Sequence, residues 1–212
     1  PICHEGCEDY KTCSNFISEI IEKKAAKFHH GNLEESLINQ GIALISEHGN
    51  TNFSLREVSA SLGVSHAAAY RHFKSKSELI AKIAMRGFNI LTQRLEAIGE
   101  QYGAHLNSYK TMMDLGAEYI NFGIENPGLY RALFIKEIVD GIPMEELDKA
   151  SLASWQPLIS AIKQGQANRK ILPNYDAYDI GSMLWAALHG YVMLCLEMDL
   201  GGNHNIECVP NL

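Results

Sequence analysis

The stretch from Ser54 to Phe73 reads SLREVSASLGVSHAAAYRHF. Ser54 and Glu57 stand at the spacing of a capping box: the hydroxyl accepts from the backbone N–H three residues on, and the carboxylate reaches back. Leu55, Val58, Ser59 and Leu62 then fall on one helical face. Gly63 follows, and glycine takes the left-handed conformation that stops a helix at little steric cost. Val64 is placed to plug the corner. Ser65 is a second N-cap, and a second short helix is expected from His66 to Phe73. Helix, glycine turn and helix make the helix-turn-helix pattern. Neither helix is long enough to stand alone in water, so both require packing partners.

The second helix carries Ala67, Ala68 and Ala69, small residues that let a backbone approach a surface. Around them stand Ser65, His66, Tyr70, Arg71, His72, Lys74 and Lys76, all able to donate hydrogen bonds. Small residues flanked by donors suit a helix lying in a DNA major groove. An ordinary surface helix with a basic end has the same composition, so the stretch alone leaves both readings open.

The chain has 212 residues, 46% of them hydrophobic, which is enough for a sizeable core and excludes a disordered or fibrous chain. Five cysteines in no regular framework fit a reducing cytoplasm. The N-terminus lacks the basic-then-apolar order of a secretory signal. The longest apolar run, Met183 to Met198, is read as too short for a bilayer span, so no membrane partner is expected. The net charge of −7 speaks against nucleic acid until it is divided along the chain. Residues 1–21 hold one lysine and four acids, giving −3; residues 22–90 hold nine Lys/Arg and six acids, giving +3; residues 91–212 hold eight and fifteen, giving −7. The positive part contains the helix-turn-helix, and a basic head on an acidic body attracts DNA locally.

Residues 1–27 read as a tail. Cys3, Cys7 and Cys13 with His4 match no zinc spacing and offer no well-placed fourth ligand, so no metal is expected. Lys23, Lys24, Lys27, His29 and His30 form a basic arm, either a DNA-backbone contact or solvated charge. Asn32 caps a helix over 33–48, ended by His48-Gly49-Asn50, with Phe53 as a plug. Ser75 and Glu78 repeat the capping-box spacing and open a long helix over about 76–102. Further helices are expected over 112–125, 129–139 (with Asn126 as cap and Pro127 at the first position), 145–166 with a kink at Pro157, and 176–198. The last is apolar on most sides, which calls for burial all round and hence a second subunit. No strand pattern or repeat is present.

The segment HHGNLEESLINQGIALISEHGNTNFSLREVSASLGVSHAAAYRHFKSKSELIAKIA resembles the DNA-binding domain of TetR/AcrR-family transcriptional regulators along its whole length. LGVSHAAAYRHFKSKSELI is its specific core. YINFGIENPGLYRALF (Tyr119 to Phe134) and Trp185-x3-His189-Gly190 match a subgroup of that family. The resemblance covers about residues 28–200. It implies an all-α protein of about nine helices: a helix-turn-helix domain over 28–75, a regulatory ligand-binding and dimerisation domain over 76–200, and a C-terminal tail over 201–212. It implies a cytoplasmic homodimer joined through the last two long helices, bound to a palindromic operator in double-stranded DNA and released by a small-molecule effector. By position, Ser65, His66, Ala67, Ala68 and Arg71 would face bases, while Ser54, Tyr70, His72, Lys74 and Lys76 would grip phosphates. Many members have Thr or Gly at Ala68; alanine loses a hydroxyl contact and leaves packing on a thymine methyl.

The expected effector is moderately apolar, because the candidate ligand residues are Met112, Met113, Tyr119, Phe122, Tyr130, Phe134, Trp155 and Trp185, with His189 one turn beyond. Core packing is the competing role for each. An enzyme is the rival class, given nine histidines and five cysteines. Yet no Ser/His/Asp or Cys/His constellation, HExxH or glycine-rich phosphate loop occurs, so no catalytic residue or cofactor is assigned. A third alternative is an interaction module without DNA binding, against which the intact His66 to Lys76 face argues.

Overall fold

The computed structural model describes residues 33–102, 108–135, 144–171 and 173–198. The Cys3/Cys7/Cys13 grouping, the basic arm, the Asn32 cap, the turn at 140–143 and both tails lie outside the described residues. Among those residues there are eight helices and no strand: α1 Leu33–His48, α2 Leu55–Ser61, α3 His66–Tyr70, α4 Lys76–Tyr102, α5 Ser108–Glu125, α6 Pro127–Ala132, α7 Met144–Ala167 and α8 Ala177–Glu197. The protein is all-α, as expected.

The local signals act through named contacts. Ser54 Oγ accepts from Glu57 N at 3.2 Å, and Ser54 N donates to Glu57 Oε2 at 2.6 Å. Hydrogen bonding from the Ser54 hydroxyl and then its backbone N–H holds the Glu57 carboxyl below the usual glutamate range. Gly63, at φ +66°, reverses the chain between α2 and α3. Ser75 Oγ caps Glu78 N at 3.2 Å, but Glu78 reaches Lys74 N at 2.6 Å, not Ser75. Asp176 opens α8, its carboxylate accepting from Tyr178 N at 2.8 Å.

Several boundaries differ from expectation. α3 ends at Tyr70 because the chain tightens there: His72 N and Phe73 N both donate to Ala69 O at 3.0 Å, which turns Phe73 into the core. Asn126 stands at the N-cap of α6 but makes no side-chain capping bond; its Nδ2 donates back to Phe122 O at 3.1 Å. α6 stops at Ala132, short of the expected Val139. α7 runs for 24 residues through Pro157. It closes at Arg169, a non-glycine at φ 53°, with Lys170 N donating to Gly165 O at 2.9 Å.

The first half packs α1, α2, α3 and the start of α4 around Leu37, Ile45, Val58, Phe73, Leu79 and Ile83, all buried. Each such side chain contributes about 1.5–3 kcal/mol relative to exposure. α4 then continues into the second half against α5, α6 and α7. Arg86 bonds Glu35 at 2.5 Å and Asn39 at 2.9 Å, tying α4 to α1. Arg94 bonds Glu118 and, at 2.9 Å, Glu125, tying α4 to α5. α6 is wedged between the halves: a Cβ on Gly128 would stand 2.3 Å from Ile42 O of α1, and one on Gly87 of α4 would stand 2.8 Å from Leu133 Cδ2.

α8 begins at Ala177, ahead of the run counted from Met183. Its 21 residues, with a mean hydropathy of 1.3 over an 18-residue stretch, are long and apolar enough to cross a membrane by length and composition, which corrects the expectation of too short a run. Ala177, Gly181, Val192 and Cys195 are buried, while Met183 is 68% and Leu194 52% exposed. One face of this helix therefore packs on the core, and another is apolar and uncovered in the single chain.

Candidate DNA-reading surface and ligand cavity

Ser65 fixes the start of α3 by accepting from Ala68 N at 3.2 Å. With Ala69 fully buried beneath, the opposite face turns outward. Ala69 thus leaves the group of outward alanines: it is the residue that seats α3 on the bundle. Ser54, Ser65, His66, Ala67, Tyr70, Arg71, His72 and Lys74 are exposed, and Ala68 is half-buried. The His66 ring meets Tyr70 edge-on at 4.5 Å, so the two side chains brace each other across one turn. His72 Nδ1 lies 4.0 Å from Glu34 of α1. Lys76 differs from the outward role assigned to it. It is half-buried, its Nζ donates to Thr51 O at 3.0 Å, and it stands 6.0 Å over the Phe53 ring. It pins the start of α4 to the loop before α2.

The second half encloses a cavity of about 680 Å³. α4 contributes Phe88, Leu91 and Leu95; α5 contributes Tyr109, Met112, Met113 and Tyr119; the turn after α6 contributes Leu133 and Phe134. α7 adds Ser151, Ser154, Trp155 and Leu158, and α8 adds Leu184, Trp185, Ala187 and Leu188. Tyr109, Leu184 and Ala187 are exposed and mark the mouth. The volume lies in the range of about 300–1,000 Å³ usual for small-molecule sites.

A chain of hydrogen bonds runs inward from the wall. Trp185 Nε1 donates to Tyr119 Oη at 3.1 Å, the Tyr119 and Tyr130 hydroxyls are 3.0 Å apart, and Tyr130 Oη lies 2.7 Å from His189 Nδ1. Indole N–H only donates. The order that employs every hydrogen is therefore Trp185 to Tyr119, Tyr119 to Tyr130, and Tyr130 to an unprotonated Nδ1 on His189. Burial pushes the Tyr119 and Tyr130 phenols up and His189 down, so each group stays neutral.

Met112, Met113, Tyr119, Phe134, Trp155 and Trp185 are brought together on the cavity wall. Phe122, Tyr130 and His189 are not among the described lining residues, which corrects their placement. Phe122 is fully buried in the core, with the Arg94 guanidinium 5.9 Å over its ring. Tyr130 is fully buried behind Tyr119, and His189 stacks on Trp185 at 5.4 Å. The α4 contribution went unassigned in the sequence, although Phe88, Leu91 and Leu95 stand on its inward stripe. Leu184 and Leu188, which flank Trp185, also went unassigned.

The family model for bacterial regulatory proteins, tetR family, matches residues 37–83, and that for the tetracyclin repressor-like C-terminal domain matches residues 112–207. The chain belongs to the TetR family. It is a helix-turn-helix transcription regulator with the DNA-binding and ligand-binding halves typical of that family. A protein of unknown function from Rhodococcus sp. RHA1 is 27% identical with a TM-score of 0.68, covering 83% of this chain and 89% of that one. The fatty acid degradation regulator FadR from Bacillus halodurans, 13% identical, shares the fold with a TM-score of 0.65 over 81% of this chain and 87% of its own. Nucleoid occlusion factor SlmA of Cronobacter sakazakii is 33% identical over 114 residues, 54% of this chain and 55% of that protein. The chain spans about half the length of the curated relatives it matches.

Proposed function

We propose that this TetR-family protein is a repressor that binds a palindromic operator as a homodimer and releases it when a moderately apolar small molecule enters the cavity. The observation that carries this reading is the α3 surface: a capped helix seated on Ala69, with Arg71, His66, Tyr70 and Lys74 turned to solvent beside Ala67. In this reading Ser65, His66, Ala67, Ala68 and Arg71 meet base edges. Ser54, Tyr70, His72, Lys74 and Lys76 meet phosphates, which set register without specifying sequence. Residues 28–75 form the reading head and residues 76–200 the regulatory and dimerisation part, with 1–27 and 201–212 as tails.

The second copy would dock through α7 and α8, covering the apolar face around Met183 and Leu194. That places two α3 helices about one DNA turn apart, near 34–36 Å. Met112, Tyr119, Phe134 and Trp185 touch the effector, while Tyr130 and His189 brace the wall behind them. A filled cavity favours another tilt of α4, and α6, wedged against both halves, passes the change to α1. A swing from 1:99 to 99:1 requires about 5.5 kcal/mol of differential binding. FadR of Bacillus halodurans is by its name a fatty acid regulator, and an apolar cavity in this chain suits molecules of related hydrophobicity.

Sequencing the genomic DNA that the full chain retains tests the reading. One palindromic motif should be enriched. Tyr70→Ala combined with Lys76→Ala should weaken binding to it and flatten its salt dependence by about one unit of slope per lost phosphate contact. Recovery of no motif sinks the reading.

A further inference from the structure

We propose that the effector is uncharged throughout: an apolar ester, alcohol, ketone or hydrocarbon, and not the corresponding carboxylate. The proposal rests on the reading of the cavity as the effector site and narrows the chemistry of that site. No described residue lining the cavity carries a charge; the polar side chains on its wall are hydroxyls and two indoles. Several of those dipoles are already engaged. Trp185 Nε1 donates to Tyr119, the Tyr119 hydroxyl is paired with Tyr130, and Ser154 Oγ donates to Ser151 O at 2.7 Å. Behind them stand Tyr130 and His189, both held neutral by burial. Nearby cations are committed elsewhere: Arg94 turns to Glu118 and Glu125, and Arg131 to Glu197.

A carboxylate held inside this space would lose its water and meet no counter-charge on the described wall. An ion placed so is disfavoured far more than a neutral group, and in practice it neutralises. A neutral isostere keeps the burial of its apolar body and loses little. A ketone, ester or hydroxyl can exchange one hydrogen bond with the Tyr119–Trp185 pair without leaving a charge unmet.

The chain's two tryptophans, Trp155 and Trp185, both line the cavity, so intrinsic fluorescence reports its occupation directly. The full chain is titrated with two matched series: decanoate, methyl decanoate and decanol; and naphthoate with its methyl ester. The expected result is that in at least one series the neutral members bind with a Kd at least about ten-fold lower than the acid at pH 7, a difference of about 1.4 kcal/mol. Any binding by that acid should weaken about ten-fold per pH unit above its carboxyl pKa, because its neutral form enters. A carboxylate that binds as tightly as its ester, with no such pH dependence, overturns the charge selectivity and leaves the effector site standing. A fluorescence response to no member of either series overturns the effector-site reading itself, and this proposal with it.

Discussion

The Tyr130 hydroxyl stands 2.7 Å from His189 Nδ1, joining α6 to α8 across the interior. It is the inner end of the chain that starts at Trp185 on the cavity wall. Tyr130 is fully buried, and removing its hydroxyl leaves both the Tyr119 hydroxyl and the imidazole nitrogen without that partner. Unmet buried polar groups cost about 1–3 kcal/mol. Tyr130→Phe should therefore lower the thermal midpoint by several degrees. Tyr109→Phe, at a residue 66% exposed, should change stability by less than about 0.5 kcal/mol. Equal shifts in the two variants, read by calorimetry, would falsify the linkage.

The same pair gives a pH dependence with a defined sign. Burial lowers the His189 pKa from its ordinary 6.5. Over the window between the lowered folded value and about 6.5, the unfolded chain binds the extra proton, so stability rises with pH there. The contribution is complete above about 6.5 and is lost as pH falls through the folded value. His189→Gln should flatten this part of the stability-against-pH curve, measured by urea denaturation at a series of pH values. An unchanged slope in the variant would place the acid sensitivity in another group.

Gly128 brings α6 onto the backbone of α1. A Cβ there would stand 2.3 Å from Ile42 O, and a carbonyl cannot rotate away as a side-chain tip can. Gly128→Ala should force the two helices apart at a cost of about 1–3 kcal/mol. Since α1 belongs to the reading head, operator affinity should fall along with stability. Gly99 in α4 meets nothing within 4 Å, and Gly99→Ala should stabilise by up to about 1 kcal/mol through helix propensity. The comparison is read by chemical denaturation and gel shift; Gly128→Ala behaving like Gly99→Ala would remove α6 as the joint between the halves.

Local signals were legible wherever one residue type has one mechanical use. Ser54 with Glu57, Gly63 and Ser65 announced caps and a turn, and each forms the predicted bond or angle. The all-α class followed from the period of the apolar residues. Signals failed where tertiary packing overrides them. Asn126 is a good cap by type, yet its amide turns back to Phe122 O. Ala69 matched its neighbours by size, but the rotation of α3 on the bundle buried it. Phe122, Tyr130 and Phe134 are all large aromatics in one short stretch, and sequence does not say which faces the space between helices. Cavity walls arise from five separate segments, and the gap between them is a property of their packing.

Met183 and Leu194 on α8, with Met198 at its C-cap, form an exposed apolar strip, at 68%, 52% and 61% exposure. A helix of this hydropathy with one uncovered face is costly in water, and in a TetR-family chain a second copy is the expected cover. Met183→Glu combined with Leu194→Glu would place carboxylates in that contact without touching the buried face at Gly181, Val192 and Cys195. Each unpaired buried carboxylate costs several kcal/mol, and every 1.4 kcal/mol is about ten-fold in dissociation constant. The double variant should keep its helical circular dichroism, sediment as a monomer at micromolar concentration, and lose cooperative binding to a two-half-site DNA. If the unaltered chain already sediments as a monomer under the same conditions, α8 is not the dimer contact and the spacing of two reading heads has no structural basis.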